Sequence, residues 1–319
     1  MTASTTRRTT AARTRIAAVG AIAVAGALLL TACGDQTNSG SGSSETGAAS
    51  SAALFDKLPK KYQDSKVIKV GTDAAYAPME YEEGGKIVGI DPDIAAALGK
   101  ELGVKFQFTS GTFDGLISSL NSGRQDVVMS AMSDTKARQD GLDDKGKKVG
   151  QGVDFVDYFT SGVSLLVKKG NPSKIESLDD LCGKKVAVQR GTIYEDTFKA
   201  QATKCKTDGK GTLTIEAFDT DAEAQTRVKS GGAVADLNDY PVAAHIAKTA
   251  GGGNDFEVAG DQTDAGPFGI AVDKDNAQLR DALKAAVDAI IKNGEYAKVL
   301  EKWDVKNSAV TEATINAGK

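Results

Sequence analysis

Residues 130–138, SAMSDTKAR, place one arginine shortly after an apolar run, and an arginine at such a position could bind the carboxylate of a small ligand. The planar guanidinium of Arg138 can form two parallel hydrogen bonds with a carboxylate. Alternatively, Ser133 or Asp134 caps a short helix, and Arg138 is an ordinary solvent-exposed charge. The residues of this stretch leave both interpretations open.

Two later loops carry groups that complement an arginine. Gly191 and Thr192 follow a predicted strand and start a predicted helix, whose N–H groups and positive end could face the same anion as Arg138. They could equally form a tight turn in which Thr192 caps the helix. Asp239 follows another predicted strand and could bind an ammonium group, or it could simply cap the helix that starts near Tyr240.

Two aromatic residues, Tyr76 and Phe113, complete this set in a chain with few aromatic side chains. A core position is the ordinary role for either residue. A zwitterionic amino acid needs a cation and N–H donors for its carboxylate, an anion for its ammonium group, and apolar walls that exclude water. Arg138, Asp239 and the two rings supply these groups, so the combination predicts an amino acid site.

The elements that would position these residues alternate between short β-branched runs and helical stretches, which is typical of α/β folds. The candidate residues follow the carboxyl ends of predicted strands, where open α/β sheets bind their ligands. Two such series, each of about 100 residues, predict two lobes. Strands are predicted at 67–72, 87–90, 104–109, 126–130, 164–167, 185–189, 213–217, 234–237 and 268–272, and helices at 92–102 (capped by Asp91), 114–122, 194–202, 222–230, 241–250, 276–293 and 295–303.

The N-terminal residues are predicted to be an export signal. Residues 1–32 carry four arginines and no acidic residue, and the uncharged run 16–30 is too short, at ~1.5 Å per residue, to span a bilayer of ~30 Å. The sequence LTAC that ends at Cys33 resembles the lipobox of bacterial lipoproteins, which implies lipidation of Cys33 and anchoring to the outer face of the cell membrane. Plain secretory cleavage after Ala32 is the alternative. Residues 33–60, rich in Ser and Gly at their start, are predicted to be a flexible tether.

The charge of the chain argues against several partners and cofactors. Loss of residues 1–32 changes the formal net charge from −4 to −8, because four arginines leave with them. An acidic protein of this kind is not expected to bind nucleic acid or an anionic membrane surface. One histidine and no CxxC pattern argue against a zinc site, and no cofactor is predicted.

Cys182 and Cys205 remain as a pair if Cys33 is lipidated. In an exported, oxidising compartment such a pair is expected to form a disulfide. In the chain-entropy model a disulfide across this interval would stabilise the fold by roughly 3 kcal/mol. Two free thiols are the alternative.

Six segments occur along the chain in a characteristic order: GTDAAYAPMEY, the GxD pattern ending at Asp91, FDGLISSLNSGRQDVVMSAMSDTKARQ, DFVDYF, CGKKVAVQRGT and NDYPVAA. Together they resemble the family 3 solute-binding proteins of bacterial ABC importers, the polar amino acid class that includes glutamine, histidine and lysine-arginine-ornithine binders. The resemblance covers about residues 67–305 and implies an α/β, two-lobe periplasmic-binding-protein-like fold (type II), with a helix-flanked sheet in each lobe and the ligand cleft between them. Lobe 1 would comprise 67–162 and 265–305, lobe 2 would comprise 163–264, and 306–319 would be a C-terminal tail. Strands near 160–163 and 264–268 would join the lobes.

The resemblance also implies a role for each candidate residue. Arg138 would bind the ligand carboxylate, and Asp239 would bind the ligand ammonium group. The supporting residues would be Ser133, Gly191 and Thr192 at the carboxylate, Ser130 and Ala131 at the ammonium group, Tyr76 and Phe113 around the ligand side chain, and Asp73 and Gln189 along the side-chain pocket.

The implied function is that of a receptor, not an enzyme, which binds a polar amino acid and delivers it to ABC transporter permease subunits. The same fold also resembles cyclohexadienyl dehydratases, and such an enzyme stays open as the alternative. Two departures from the family pattern stand out. About 11 extra residues within 140–152 are predicted to form a surface excursion. Val234 stands where the family usually has Asp, with Asp236 two positions later, which leaves open the register of the strand before Asp239.

Overall fold

The computed structural model describes residues 52–143 and 145–319. The predicted signal peptide, Cys33 and most of the predicted tether lie outside the described residues. Within the described part, no helix is long and apolar enough to cross a membrane.

Strands alternate with helices along most of the chain, as the hydrophobic pattern predicts. The strands are β1 (Val67–Thr72), β2 (Ala75–Tyr76), β3 (Glu80–Glu83), β4 (Lys86–Val88), β5 (Lys105–Ser110), β6 (Val127–Val128), β7 (Val153–Lys168), β8 (Lys185–Gln189), β9 (Thr214–Phe218), β10 (Ala235–Asp239), β11 (Phe256–Asp273) and β12 (Thr314–Ile315). The main sheet has the order β10-β7-β11-β6-β1-β5, and β12 pairs with β7. β2, β3 and β4 form a small antiparallel sheet, and β8 pairs in parallel with β9.

Local sequence signals determine where many of the helices start and end. Thr220 and Glu223 form a capping box at the start of one helix, and Gly103 adopts the left-handed conformation that ends another. The helices are α1 (Lys60–Ser65), α2 (Ile90–Leu102), α3 (Leu116–Asn121), α4 (Lys136–Asp140), α5 (Ile193–Thr207), α6 (Asp221–Lys229), α7 (Tyr240–Thr249), α8 (Ala277–Asn293) and α9 (Glu295–Lys302).

Two long antiparallel strands, β7 and β11, connect the two α/β series. They pair from Val153 with Asp273 at one end to Lys168 with Phe256 at the other. Their register shifts between Ala259 and Gly266. The sequence predicts 160–167 and 264–272 as strands, about the second half of each, and misses the first half of each. Acidic residues in the first halves, such as Asp154, Asp157 and Glu257, interrupt the apolar pattern on which the prediction rests.

The apolar core lies on both sides of these strands. Ile94 and Leu98, four residues apart on one face of α2, pack in the largest buried cluster together with Leu283 of α8. A second cluster surrounds β8 and α5 and includes Val186 and Phe198. The strand ends between these clusters are therefore held on rigid, well-packed elements.

Cys182 and Cys205 form a disulfide with a Cα–Cα distance of 5.4 Å, which confirms the predicted pair. The bond joins the end of the 3₁₀ turn Leu178–Leu181 to α5. The excursion at 140–152 lies on the surface as predicted, and it contains an isolated bridge between Leu142 and Lys148.

The prediction of Asp91 as a helix cap is wrong. Helix α2 begins at Ile90, and its N-cap is Gly89, whose φ of 139° and close approach to the Met79 carbonyl leave no room for a side chain. Asp91 is fully buried and accepts hydrogen bonds from the amide of Ala131 and the hydroxyl of Tyr158. The predicted strand at 126–130 is also shorter than expected, because only β6 pairs regularly.

Candidate functional site

The predicted site residues meet in one cavity at the strand ends. Gly191 contributes a backbone carbonyl at the edge of this cavity. The residues that line the cavity are Asp73, Tyr76, Phe113, Ser130, Ala131, Ser133, Arg138, Gln189, Thr192 and Asp239, which the sequence analysis selects, and Glu80, Ile193 and Tyr194, which it misses.

Arg138 points its guanidinium into this cavity. Nη1 donates to the carbonyl of Ser133 at 2.7 Å, and Nη2 donates to the carbonyl of Gly191 at 3.2 Å. The guanidinium carbon lies 5.3 Å from the centre of the Phe113 ring. Although the residue as a whole is half-buried, burial of the guanidinium lowers the pKa of Arg138 to about 10, so the group is cationic at neutral pH. Arg138 therefore faces the cavity and not open solvent.

Helix α4, which carries Arg138, starts at neither of the predicted caps. Its N-cap is Thr135, whose hydroxyl accepts a hydrogen bond from the amide of Arg138 at 3.3 Å. Ser133 lies before the helix and pairs with Phe268 in an isolated bridge, and Asp134 is buried. The turn 133–138 is thus held from several sides, and its arginine projects towards the cavity.

Asp239 lies at the end of β10 and enters the cavity from the opposite side. It occupies the N-cap position of α7, but its side chain makes no capping hydrogen bond. Oδ2 instead accepts a hydrogen bond from the Tyr76 hydroxyl at 2.8 Å, and the Asp239 amide donates to the same hydroxyl at 3.2 Å. Burial raises the pKa of Asp239 to about 7, against the opposing effect of the nearby Tyr194 and Tyr76 hydroxyls.

The register of β10, which the sequence leaves open, is regular in the structure. Residues 235–239 pair antiparallel with β7, from Ala235 with Val167 to Asp239 with Val163. Asp236 is fully buried, and its Oδ2 accepts a hydrogen bond from Asn238 at 3.1 Å. Val234 lies just before this strand, so its difference from the family pattern does not displace Asp239.

A second carboxylate, Asp73, lies at another end of the cavity. Its Oδ2 accepts a hydrogen bond from Nε2 of Gln189 at 2.6 Å, and its amide donates to Oγ of Ser130 at 2.9 Å. Burial raises the pKa of Asp73 to about 6, and hydrogen bonds from Gln189 and the Phe113 amide limit the rise. Asp73 is therefore predominantly ionised at neutral pH.

Glu80 is the most polar of the missed residues. Its Oε1 accepts a hydrogen bond from Ser130 at 2.8 Å, and its buried Oε2 has no hydrogen-bond partner among the described residues. Burial, and then the charge of Asp91, raise the pKa of Glu80 well above its ordinary value, which favours the neutral form. Its residue type did not distinguish it from the exposed Glu82 and Glu83 that follow it.

The start of α5 differs from the expectation. The Gly191 amide donates to Oε2 of Glu195 at 2.8 Å, so it is not free to face an anion, whereas the Gly191 carbonyl faces Arg138. Thr192 caps the helix by accepting from the Glu195 amide at 3.3 Å and donates to the carbonyl of Gln189 at 2.8 Å. The capping interpretation of Thr192 is therefore confirmed, although the residue also lines the cavity.

Tyr194 stands in the first turn of α5 and is buried. Its hydroxyl oxygen has no hydrogen-bond partner within 3.5 Å among the described residues. Burial, and then the nearby charge of Asp239, raise the pKa of Tyr194 well above its ordinary value. A buried hydroxyl in this position offers a donor to a ligand in the cavity.

Contacts between the two sides leave little free space in the cavity. Hydrogen bonds join Tyr76 to Asp239 and Asp73 to Gln189, and they pair groups that come from different α/β series. The remaining volume is ≈ 20 Å³, room for about one water molecule. An amino acid can therefore enter only when the two sides separate or these side chains move.

The site carries no metal-binding pattern. Among residues 52–143 and 145–319, no group of three or more His, Cys, Asp or Glu side chains could hold a metal ion. The chemistry of the cavity is that of hydrogen bonds and charge pairing.

Comparisons with known proteins agree with this geometry. One relative is the arginine-binding protein ArgT of Corynebacterium glutamicum, which is 28% identical over 261 residues that cover 81% of each chain. Another is the L-cystine-binding protein TcyJ of Escherichia coli K12, which is 30% identical over 249 residues that cover 77% of this chain and 85% of the relative. A solved structure of an ancestral amino acid-binding protein, described as a precursor of cyclohexadienyl dehydratase, has a TM-score of 0.65 and 38% identity over 76% of this chain and 97% of its own.

The family model of the bacterial extracellular solute-binding proteins, family 3, matches residues 68–306. The fold is the two-lobe α/β arrangement of these proteins, and the relatives are binding proteins of transport systems and not enzymes. The disulfide is a feature of lobe 2 as the sequence analysis divides the chain. The chain belongs to the family 3 extracellular solute-binding proteins of bacteria.

Proposed function

We propose that the protein captures a polar amino acid with a cationic side chain between its two lobes and delivers it to the permease subunits of an ABC transporter. The observation that carries the proposal is the position of Arg138 and Asp239, which line one cavity from opposite lobes. Together they match the two poles of a zwitterion. Binding of an amino acid by a protein of this family is the established part; the ligand class, the residue roles and the delivery step are proposed.

The carboxylate of the ligand would bind at Arg138. A carboxylate is a stronger acceptor for a guanidinium than the Gly191 carbonyl, because both partners are charged. Ser133 and Thr192 line the same end and would assist, together with the first amides of α5. Gly191 would contribute its carbonyl and its shape, since its φ of +74° and the nearby Asp114 exclude a side chain.

The ammonium group would bind at Asp239. It would replace the Tyr76 hydroxyl as the donor to Oδ2 of Asp239, and the same exchange would free the phenol. Ser130 and the main chain at Ala131 line this end and would provide further acceptors. Tyr194, whose hydroxyl is buried beside Asp239, is an additional residue for this role.

The side chain of the ligand would lie between Tyr76 and Phe113 and reach Asp73 and Gln189. A zwitterion would neutralise Arg138 and Asp239, which leaves the negative charge of Asp73 unmatched, and the raised pKa of Glu80 favours its neutral form. A cationic side chain would pair with that charge. Arginine is therefore the ligand we favour, and the relative from Corynebacterium glutamicum is named as an arginine-binding protein.

Binding would be coupled to closure of the lobes. The described cavity is too small for an amino acid, and its interlobe hydrogen bonds must open first. We propose residues 67–162 with 265–305 as lobe 1, 163–264 as lobe 2, and the middle of β7 and β11 as the hinge. The register shifts in β11 support this position, since a strand bends most easily where its ladder is irregular.

We also propose that the mature protein is anchored by a lipid on Cys33. The export signal and the LTAC sequence support this step, and the Ser/Gly-rich residues after Cys33 would give the receptor reach. A tethered receptor stays close to its permease, which raises its effective concentration there.

Replacement of Arg138 tests the carboxylate site. We expect Arg138→Ala to weaken amino acid binding by about 100-fold or more, because one pole of the ligand would be buried without a partner. Calorimetric titration measures the loss, and Arg124→Ala, which removes an exposed arginine of the same lobe, is the matched control. Equal affinity of the two variants would rule out Arg138 as the carboxylate partner.

The pH dependence of binding tests the ammonium site. The pKa of Asp239 is raised to about 7 in the free cleft, whereas an ammonium ligand requires the ionised form. Affinity for a cationic amino acid should therefore fall about twentyfold from pH 8 to pH 6, about tenfold from Asp239 and about twofold from Asp73, since binding must then release protons. In Asp239→Asn the affinity should fall only about twofold between pH 8 and pH 6, which is the change expected from Asp73 with its pKa of about 6. A pH profile that is identical in both proteins would contradict this assignment.

A ligand screen tests the class of side chain. Thermal-shift measurements with the twenty amino acids, ornithine and cystine should give the largest stabilisation with arginine, about 2.7 kcal/mol at 100 times its dissociation constant. Asp73→Asn should weaken arginine about tenfold and leave glutamine nearly unchanged, whereas Glu82→Gln at an exposed site should affect neither. Preference for a neutral ligand in the unaltered protein would refute the cationic class and leave the amino acid site intact.

Fractionation of cells tests the anchor. The unaltered protein should sediment with membranes and incorporate labelled fatty acid, and Cys33→Ala should do neither. Membrane association of Cys33→Ala at the level of the unaltered protein would contradict lipidation at this residue.

A further inference from the structure

The last residues of the chain pack against the turn that carries Arg138. We call residues 314–319 the C-terminal strap. They lie beyond the residues that the family model matches, which end at 306. The strap begins with β12, in which Thr314 pairs with Asp157 of β7.

One end of the strap is fixed to β7. The side chain of Asn316 accepts a hydrogen bond from the Phe155 amide at 2.7 Å and donates to Oδ1 of Asp154 at 2.9 Å. Oδ2 of Asp157 accepts from the Thr314 hydroxyl at 2.8 Å and from the Ala317 amide at 3.2 Å. These bonds hold the strap on a strand that belongs to the rigid main sheet.

The other end of the strap holds the turn before α4. Oδ2 of the buried Asp134 accepts a hydrogen bond from the Gly318 amide at 2.7 Å, while Oδ1 accepts from Gln139 at 2.8 Å. The carbonyl of Lys319 accepts from the amide of Lys136 at 3.2 Å. Lys136 is the first residue of α4, and an amide in that position has no partner within the helix.

The strap fits this turn without free space. A Cβ atom on Gly318 would lie 2.0 Å from the Asp134 carbonyl oxygen, so any larger residue must displace the strap or the turn. Ala317 and Lys319 also line a cavity of ≈ 370 Å³ whose wall includes Ser133 and Asp239. Ser133 and Asp239 thus line both this cavity and the cavity of the proposed ligand.

Helix α4 needs such support because it has only five residues, too few to be stable by itself. We propose that the C-terminal strap is a positioning element for the carboxylate site, which fixes the turn 133–138 so that Arg138 is oriented before the ligand arrives. The binding measurement that tests this proposal rests on the proposed amino acid site. The amide-exchange measurement rests only on the observed contacts.

Gly318→Ala in the full chain is the test, with Gly150→Ala as control, because a Cβ at Gly150 meets no atom within 4 Å. Gly318→Ala should weaken binding of the best ligand from the screen about tenfold, since the turn loses its preorganisation. Amide exchange of Lys136 and Arg138 should become faster without ligand, and the thermal midpoint should change by only a few degrees, about the effect of 1 kcal/mol or less. Gly150→Ala should match the unaltered protein in all three.

A double-mutant cycle separates positioning from a general structural effect. In an Arg138→Lys background, Gly318→Ala should weaken the residual affinity by less than about twofold, because the strap acts through the group at position 138. A full tenfold effect in that background would overturn the proposal. If Gly318→Ala does not fold, a chain that ends at Ile315 removes residues 316–319, the part of the strap that contacts the turn, without a clash and should give the same pattern.

The outcomes distinguish the two proposals. If the unaltered protein binds no amino acid, the proposed function fails, and the exchange rates of Lys136 and Arg138 still decide whether the strap holds the turn. If the unaltered protein binds and Gly318→Ala binds equally well, the strap proposal fails and the proposed function stands. Unchanged exchange in Gly318→Ala would also overturn it.

Discussion

The site depends on burial of opposite charges from two lobes in one cavity. A buried charge without a partner is destabilised by several kcal/mol, so each must meet a complementary group. Arg138 donates hydrogen bonds to two backbone carbonyls. Asp239 accepts a hydrogen bond from the Tyr76 hydroxyl and lies near the Tyr194 hydroxyl. A zwitterionic ligand can satisfy both charges better than these neutral groups, because each new hydrogen bond would join two ions. The other residues of the site orient these two or keep water away from them.

The two carboxyl groups beside Ser130 differ in how readily they ionise. Burial and the adjacent Asp91 raise the pKa of Glu80 well above its ordinary value and favour its neutral form, whereas Asp73 has a pKa of about 6 and carries charge at neutral pH. Ser130 joins the two groups by donating to Glu80 and accepting from the amide of Asp73. Asp73 is therefore the more readily ionised of the two carboxyl groups.

Much of this organisation follows from local patterns, and the rest depends on contacts that no local pattern encodes. Strand β8 has the predicted bounds 185–189, because a β-branched run between turn residues determines it. The first half of β7 is missed, because Asp154 and Asp157 interrupt its apolar pattern, and the pairing with β11 that defines it is a long-range contact. The meeting of Arg138 and Asp239 could be predicted from strand ends and family motifs, whereas Tyr194 and the use of the Gly191 carbonyl required the three-dimensional arrangement.

The hydroxyl of Tyr76 has a consequence for selectivity. It already occupies the acceptor that an ammonium group would use, so every ligand competes with a donor that belongs to the protein itself. The free energy of replacing the phenol is the difference between the free energies of two hydrogen bonds to Asp239. A neutral donor from a ligand would therefore gain nearly nothing. A charged donor gains more, by about 1 kcal/mol or above. In the proposed site the phenol would thus favour molecules with a cationic nitrogen at this point over molecules with a neutral donor.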